Sequence, residues 1–330
     1  MRRKIIKQGH NTLTITLPSN WTKKLNISAG DEIELDEKQN GLFLTTEKKL
    51  KQGRRTEFDI TGMDIPTIWK YFMAVYREGY DEIKVYFDSI KTLDMPYKFI
   101  TNHRISPKMV TPSKKRSITT ALQGFVDRFI GFEIVEHGKD FILIKDLGGI
   151  TGKEFDNSLR RVFLLLQQMA EETLEAITTG DTSLLESMHD IDINLDKFHD
   201  YCIRVLNKVG NKDPEKNSLY FTTLYLMEMM GDEFKNIGIH LTQDFPEGKF
   251  KNIKPLAKFV KEQIDSYYDL FYKFDKEKIK AISQVDQKTY IDVPKLYEKA
   301  NEEEKEVFHH LRMIGRYINS LLELRIEMEY

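Results

Sequence analysis

The stretch Leu184-Leu185-Glu186-Ser187-Met188-His189-Asp190-Ile191-Asp192-Ile193-Asn194-Leu195-Asp196-Lys197-Phe198-His199-Asp200-Tyr201-Cys202-Ile203-Arg204-Val205-Leu206-Asn207-Lys208-Val209 decides how the larger part of this chain folds. Its apolar positions Leu184, Met188, Ile191, Leu195, Phe198, Cys202, Val205 and Val209 are spaced 4-3-4-3-4-3-4, the seam of a helix packed against other helices. Tyr220, Thr223, Met227, Met230, Phe234, Ile237 and Leu241 repeat the spacing with one threonine in the series, after a loop at Gly210-Asn211-Lys212-Asp213-Pro214. From about residue 154 onward the chain therefore reads as antiparallel helices. A second set follows: a helix from Leu256 to Ser283, a shorter or broken one near Pro294, and a last one from Lys299 to Met328. Asn236-Ile237-Gly238 and Met313-Ile314-Gly315 occupy comparable places in the two sets, which suggests a repeated three-helix unit.

Upstream the pattern changes. Glu57–Ile60 and Ile83–Phe87 read as strands and Ile65–Tyr76 as a helix. Beyond a loop spanning Pro96, Pro107 and Pro112, Ser117–Ile130 reads as a helix. A hairpin of Phe132–Val135 and Phe141–Ile144 then turns at His137-Gly138. That order predicts a small α+β layer over residues 56–150, with helices on one side of a sheet. Lys114-Lys115-Arg116 could extend a DNA-contacting surface but reads more simply as a solvated loop.

Residues 1–50 read as short strands. Leu13, Ile15 and Leu17 alternate with threonines, Pro18 ends the run, and Ser19 is placed to cap a short helix through Lys24. Ser28-Ala29-Gly30 turns into a strand with Ile33 and Leu35, and Asn40-Gly41 signals a hairpin returning through Leu42–Thr45. Lys51–Arg55 reads as a basic linker. So few apolar side chains make a marginal core in one chain, which predicts pairing with a second copy, a homodimer at least.

Composition bounds the rest. The chain has 330 residues, 40% hydrophobic and 31% charged, which suits a globular protein and not a disordered one. Its longest apolar run, Val162–Leu166, is far short of a membrane span, and Met1-Arg2-Arg3-Lys4 leads into no secretory core, so a cytoplasmic location is expected. The one cysteine, Cys202, excludes an internal disulfide and a cysteine zinc cluster. The net charge of −2 hides an asymmetry, because residues 1–30 hold six Lys or Arg and no acid. A basic head on an acidic body points to an anionic partner, nucleic acid first.

The head's strand-Pro-turn pattern, from Gly9 to Leu17 through Pro18, Trp21 and Leu25 to Ile27-x-x-Gly30-Asp31-Glu32-Ile33-x-Leu35, resembles the AbrB/SpoVT/MazE-type DNA-binding domain over about 45 residues. The resemblance implies a swapped-hairpin β-barrel made by two chains. It also implies DNA contacts from Arg2, Arg3, Lys4, Lys7, Lys23 and Lys24, with His10 and Asn11 as polar neighbours. His10-Asn11 stands where members of that family often carry an arginine. The helical region, residues 154–330, resembles the PhoU family, built from two three-helix repeats, through Glu186–Val209, Met230–Leu241 and Leu311–Asn319. That likeness implies a role in phosphate uptake, partners among phosphate-transport or two-component signalling proteins, and metal clusters held by D/E-x-x-x-D motifs. Asp192–Asp196 keeps the first motif, whereas Lys235 and Ile239, and Arg312 and Arg316, stand at the partner positions. A protonated lysine or arginine cannot ligate a cation.

His189, Asp192, Asp196 and His199 lie on one helical stripe and form a candidate divalent-metal site, which Glu233 and His240 on the next helix could complete. The same residues also read as the polar flank of an amphipathic helix. No catalytic triad, paired general acids or P-loop motif occurs, so no enzyme is expected. The expected function is a DNA-binding transcriptional regulator, of phosphate uptake by the second resemblance, with a sensory or protein-docking helical domain. The alternative is an accessory protein of a phosphate transporter whose head serves only dimerisation.

Overall fold

In the computed structural model the described residues are 2–38, 41–46, 53–88, 92–95, 114–149, 152–210, 213–244 and 250–330. They form two compact units, Met1–Arg55 and Thr56–Tyr330.

In the first unit β1 (Ile6–Gln8) and β2 (Thr12–Thr14) make an antiparallel hairpin in register Ile6↔Thr14, Lys7↔Leu13 and Gln8↔Thr12. Gly9 supplies the positive φ of +71° that the tight turn requires. The strand ends at Thr14, shorter than the alternation to Leu17 predicts. Helix α1 (Ser19–Leu25) follows, and its N-cap is Pro18, not Ser19, whose side chain makes no capping bond. Asn26 closes α1 in the left-handed region at φ 50°, a conformation asparagine tolerates. Strands β3 (Glu34–Lys38) and β4 (Gly41–Thr45) form a second hairpin, with Lys38 opposite Gly41. Asn40, and Lys51 and Gln52 of the predicted linker, lie outside the described residues. Among the described residues the two hairpins form separate two-stranded sheets, not one barrel within a single chain.

The second unit begins with an α+β layer. Its sheet has the order β5-β6-β10-β9, from β5 (Arg55–Asp59), β6 (Glu82–Tyr86), β9 (Phe132–His137) and β10 (Phe141–Asp146). In the antiparallel β6/β10 register, Val85 lies opposite Ile142 and Ile83 opposite Ile144, and all four side chains are buried. Helices α2 (Ile65–Arg77) and α3 (Ile118–Val126) cover that face. Asp64 caps α2 by accepting from Thr67 N–H at 2.9 Å, and Ser117 caps α3 by accepting from Thr120 N–H at 3.2 Å. Trp69 stacks on Phe129 at 5.1 Å, and Phe72 packs between Phe58 and Phe125. Lys114–Ser117 is not a loop but strand β8, paired with β7 (Thr92–Met95). Pro96, Pro107 and Pro112 lie outside the described residues.

Six helices follow: α4 (Gly152–Thr179), α5 (Met188–Lys208), α6 (Asn217–Ile239), α7 (Lys254–Tyr272), α8 (Lys276–Lys299) and α9 (Glu302–Glu327). Helix α4 packs on α5, α6 and α7, and α9 packs on α6 and α7. The expected helix from Leu256 to Ser283 is in fact two. Lys273 turns extended, and Asp275 caps α8 by accepting from the N–H groups of Glu277 and Lys278. Pro294 sits inside α8, which continues to Lys299, so the break falls at the capping aspartate and not at the proline. Asn211 and Lys212 of the α5–α6 loop lie outside the described residues.

Candidate functional site

The polar side of α5 is organised by a rule that the seam spacing hides. Asp192, Asp196, Asp200, Arg204 and Lys208 stand at every fourth position, and each is ion-paired to another element, the last two sharing Asp146. A step of four residues drifts about 40° around a helix, so the row winds from one neighbour of α5 to the next. Asp192 accepts from Lys235 of α6 at 2.7 Å, and Asp196 accepts from Arg128, in the turn after α3, at 3.1 Å. Asp200 accepts from Arg77 of α2 at 2.7 Å. The sign then reverses. Arg204, fully buried, donates at 2.7 Å to the carbonyl oxygens of Tyr76 and Tyr80 and to Asp146 of β10. Lys208 donates to Asp146 at 3.1 Å and pairs with Asp81. Of the row only Lys208 lies in a terminal turn of α5, where a base is favoured by the helix dipole.

Cations are outnumbered at the acidic end. Burial pushes Glu228 up to about 7, with Asp232 adding to the effect and Arg77 opposing it. Burial also raises Asp196, with the neighbouring carboxylates Asp192, Glu228 and Asp200 adding to it. Asp192 is raised by burial too, against the pull of Lys235.

The four residues of the proposed metal stripe are therefore engaged separately. Asp192 and Asp196 each meet a cationic side chain. His199 is fully buried, edge-on to the Tyr225 ring at 5.0 Å and 3.3 Å from Asp200. Burial lowers its pKa and keeps it neutral. His189 lines a cavity of about 260 Å³ together with Lys235, Glu186 and Thr242. Glu233 contacts His310 of α9 at 2.5 Å, and the His240 ring lies 5.4 Å from that of His310. Among the described residues no three His, Cys, Asp or Glu side chains converge as a metal ion requires. Cys202 is buried in the seam, where burial pushes its thiol up and leaves it inert.

The second candidate site is the head. Arg2, Arg3, Lys4 and Lys7 run along the N-terminal segment and β1, His10 and Asn11 form the hairpin turn, and Lys23 and Lys24 end α1. All eight are exposed. Lys7 lies opposite Leu13, so it shares a face with an apolar side chain instead of standing on a purely basic one. No described side chain of residues 2–55 is buried. Ile5, Ile6, Leu13, Ile15, Leu35 and Leu42 are 50–69% exposed, so they are not buried within the head.

Residues 6–52 match the family model for antidote-toxin recognition MazE, bacterial antitoxin. The match contains Lys7, His10, Asn11, Lys23 and Lys24, and Arg2, Arg3 and Lys4 precede it. A MazE-type domain is compatible with DNA binding or regulation, and such domains commonly dimerise and bind DNA or toxins. No curated protein matches the chain. Among the described residues no helix is long and apolar enough to cross a membrane.

Sequence reasoning missed Arg77, Arg128, Arg204 and Lys208 as a set. The one signal for it was a charged residue at every fourth position of α5 with a change of sign after Asp200.

Proposed function

We propose that this protein is a DNA-binding transcriptional regulator that acts as a homodimer through its MazE-type head. The observation that carries the reading is a set of exposed basic side chains on a head with no buried side chain among the described residues. Two copies would bury Leu13, Ile15, Leu35 and Leu42 against one another, leaving Arg2, Arg3, Lys4, Lys23 and Lys24 to meet backbone phosphates. The six helices, read as a PhoU-like domain, would sense or relay phosphate status by favouring one spacing of the two heads. Full-length protein and the Lys23→Glu/Lys24→Glu variant should be titrated against genomic DNA fragments across a salt series. The reading expects affinity that falls steeply with salt and is lost in the variant. Salt-independent affinity, or a variant that binds as well as the wild type, would defeat it.

A further inference from the structure

The acidic motif on α5 carries an inference that does not depend on whether the head binds DNA. Lys235 Nζ touches two carboxylates from adjacent positions on two helices, Asp192 of α5 at 2.7 Å and Asp232 of its own helix. The lysine and Asp192 are buried, at 6% and 2% exposure, whereas the Asp232 side chain is 47% exposed and opens the group to solvent. Burial works against the lysine's charge, and the two carboxylates outweigh it, holding the ammonium above the ordinary lysine range. One positive charge faces two negative ones, and the second oxygen of Asp192 has no hydrogen-bond partner among the described residues. Four residues along α5, Asp196 is occupied in the same way by the Arg128 guanidinium.

This donor set does not fit the metal clusters that the PhoU resemblance implies, because a protonated amine stands among the carboxylates. We propose that Lys235 is the resident cation of this site: its ammonium takes the place of a divalent ion between Asp192 and Asp232 and closes the α5–α6 seam without metal. The site is a carboxylate cation site by construction. Its ion is covalently attached, so occupancy responds neither to chelators nor to metal supply. The glycines facing it fit this account. A Cβ on Gly231 would lie 3.5 Å from Asp192 Oδ1, and one on Gly238 would lie 3.0 Å from Met188, so the two helices approach closely enough for a single side chain to bridge them.

The test is thermal unfolding and metal analysis of the untagged full-length chain, with Mn²⁺ and Zn²⁺ as probes. Wild-type protein should carry no stoichiometric metal, and its Tm should be unchanged by EDTA or by millimolar Mn²⁺. Lys235→Ala leaves two carboxylates facing a vacated position that solvent reaches past Asp232. Its lowered Tm should recover by about 5 °C at a hundredfold excess of Mn²⁺ over Kd, and Asp192→Asn in the same background should abolish the recovery. Lys235→Arg should stay indifferent to metal. One equivalent of tightly held metal in the wild type, lost with Asp192→Asn, would overturn the proposal whether or not the alanine variant folds. So would a folded Lys235→Ala that responds to neither ion, since the two aspartates would then be only the salt-bridge partners of Lys235 and not a cation site.

Discussion

Arg204 and Asp146 meet at 2.7 Å with the arginine side chain fully buried and the aspartate 4% exposed, joining α5 to the last strand of the sheet. The guanidinium also lies 4.8 Å over the rings of Tyr76 and Phe132, so its planar faces are packed as well as its edges. Arg204→Ala would take one donor each from the carbonyl oxygens of Tyr76 and Tyr80 and from the buried Asp146, which would keep only the longer bond from Lys208 and that from Gly148 N–H. It should cost about 4 kcal/mol in urea unfolding, and Arg204→Lys should recover only part, because an ammonium cannot reproduce the planar fork. Burial raises Asp146, but the bonds from Arg204 and Lys208 prevail and hold it below the ordinary carboxylate range. A depressed folded value stabilises above the unfolded pKa of about 4 and is lost as pH falls through the folded one. The wild type should therefore lose stability in acid, and Asp146→Asn should lose less.

Glu228 has the opposite sign. Its folded pKa of about 7 lies above its unfolded one, so the folded state holds the extra proton between roughly pH 4.5 and 7. Stability should fall as pH rises across that window and level off above it. Glu228→Gln should flatten the slope and be more stable than the wild type at pH 8, by about 2 kcal/mol, with the two converging near pH 5. Denaturant melts at the two pH values decide it.

The two Ile-Gly pairs should respond differently to alanine. A Cβ at Gly238 would lie 3.0 Å from both Cβ and Cγ of Met188, whereas at Gly315 the nearest neighbour is Gln263 Oε1 at 4.0 Å. Gly315→Ala should gain about 0.5–1 kcal/mol from helix propensity. Gly238→Ala gains the same propensity and loses more to overpacking, for a net cost of about 1 kcal/mol.

Leu13 tests the dimer separately from DNA. At 69% exposure it contributes nothing to a single chain's core. Leu13→Ser should weaken self-association by about two to three orders of magnitude, at about 2 kcal/mol for each of two buried copies, and leave the melting of residues 56–330 unchanged. Sedimentation equilibrium reads the first effect and circular dichroism the second.

The elements built from local pattern were legible. Of the seam predicted from Leu184 to Val209, Met188, Ile191, Leu195, Cys202 and Val205 are buried on α5, whereas Val209 is 55% exposed and Leu184 lies in a turn ahead of the helix. The strand expected at Phe141–Ile144 is found in β10. The helix break at Asp275 was misplaced onto Pro294, because a proline is a visible breaker whereas a capping aspartate counts only once its neighbour Lys273 turns extended. The ion pairs were not legible, since their partners are remote: Arg77 is 123 residues from Asp200, and Arg128 is 68 from Asp196. Spacing shows which charges share a face, but not which cation the fold brings to it.

The alternating ownership of these pairs has a consequence for modularity. The layer gives cations to α5 through Arg77 and Arg128, and receives them from α5 at Asp81 and Asp146. Neither side is electrically complete alone, so a foreign layer grafted ahead of α4 would strand buried charge of both signs unless those four residues travelled with it. Among the described residues the head has no buried charged side chain to strand.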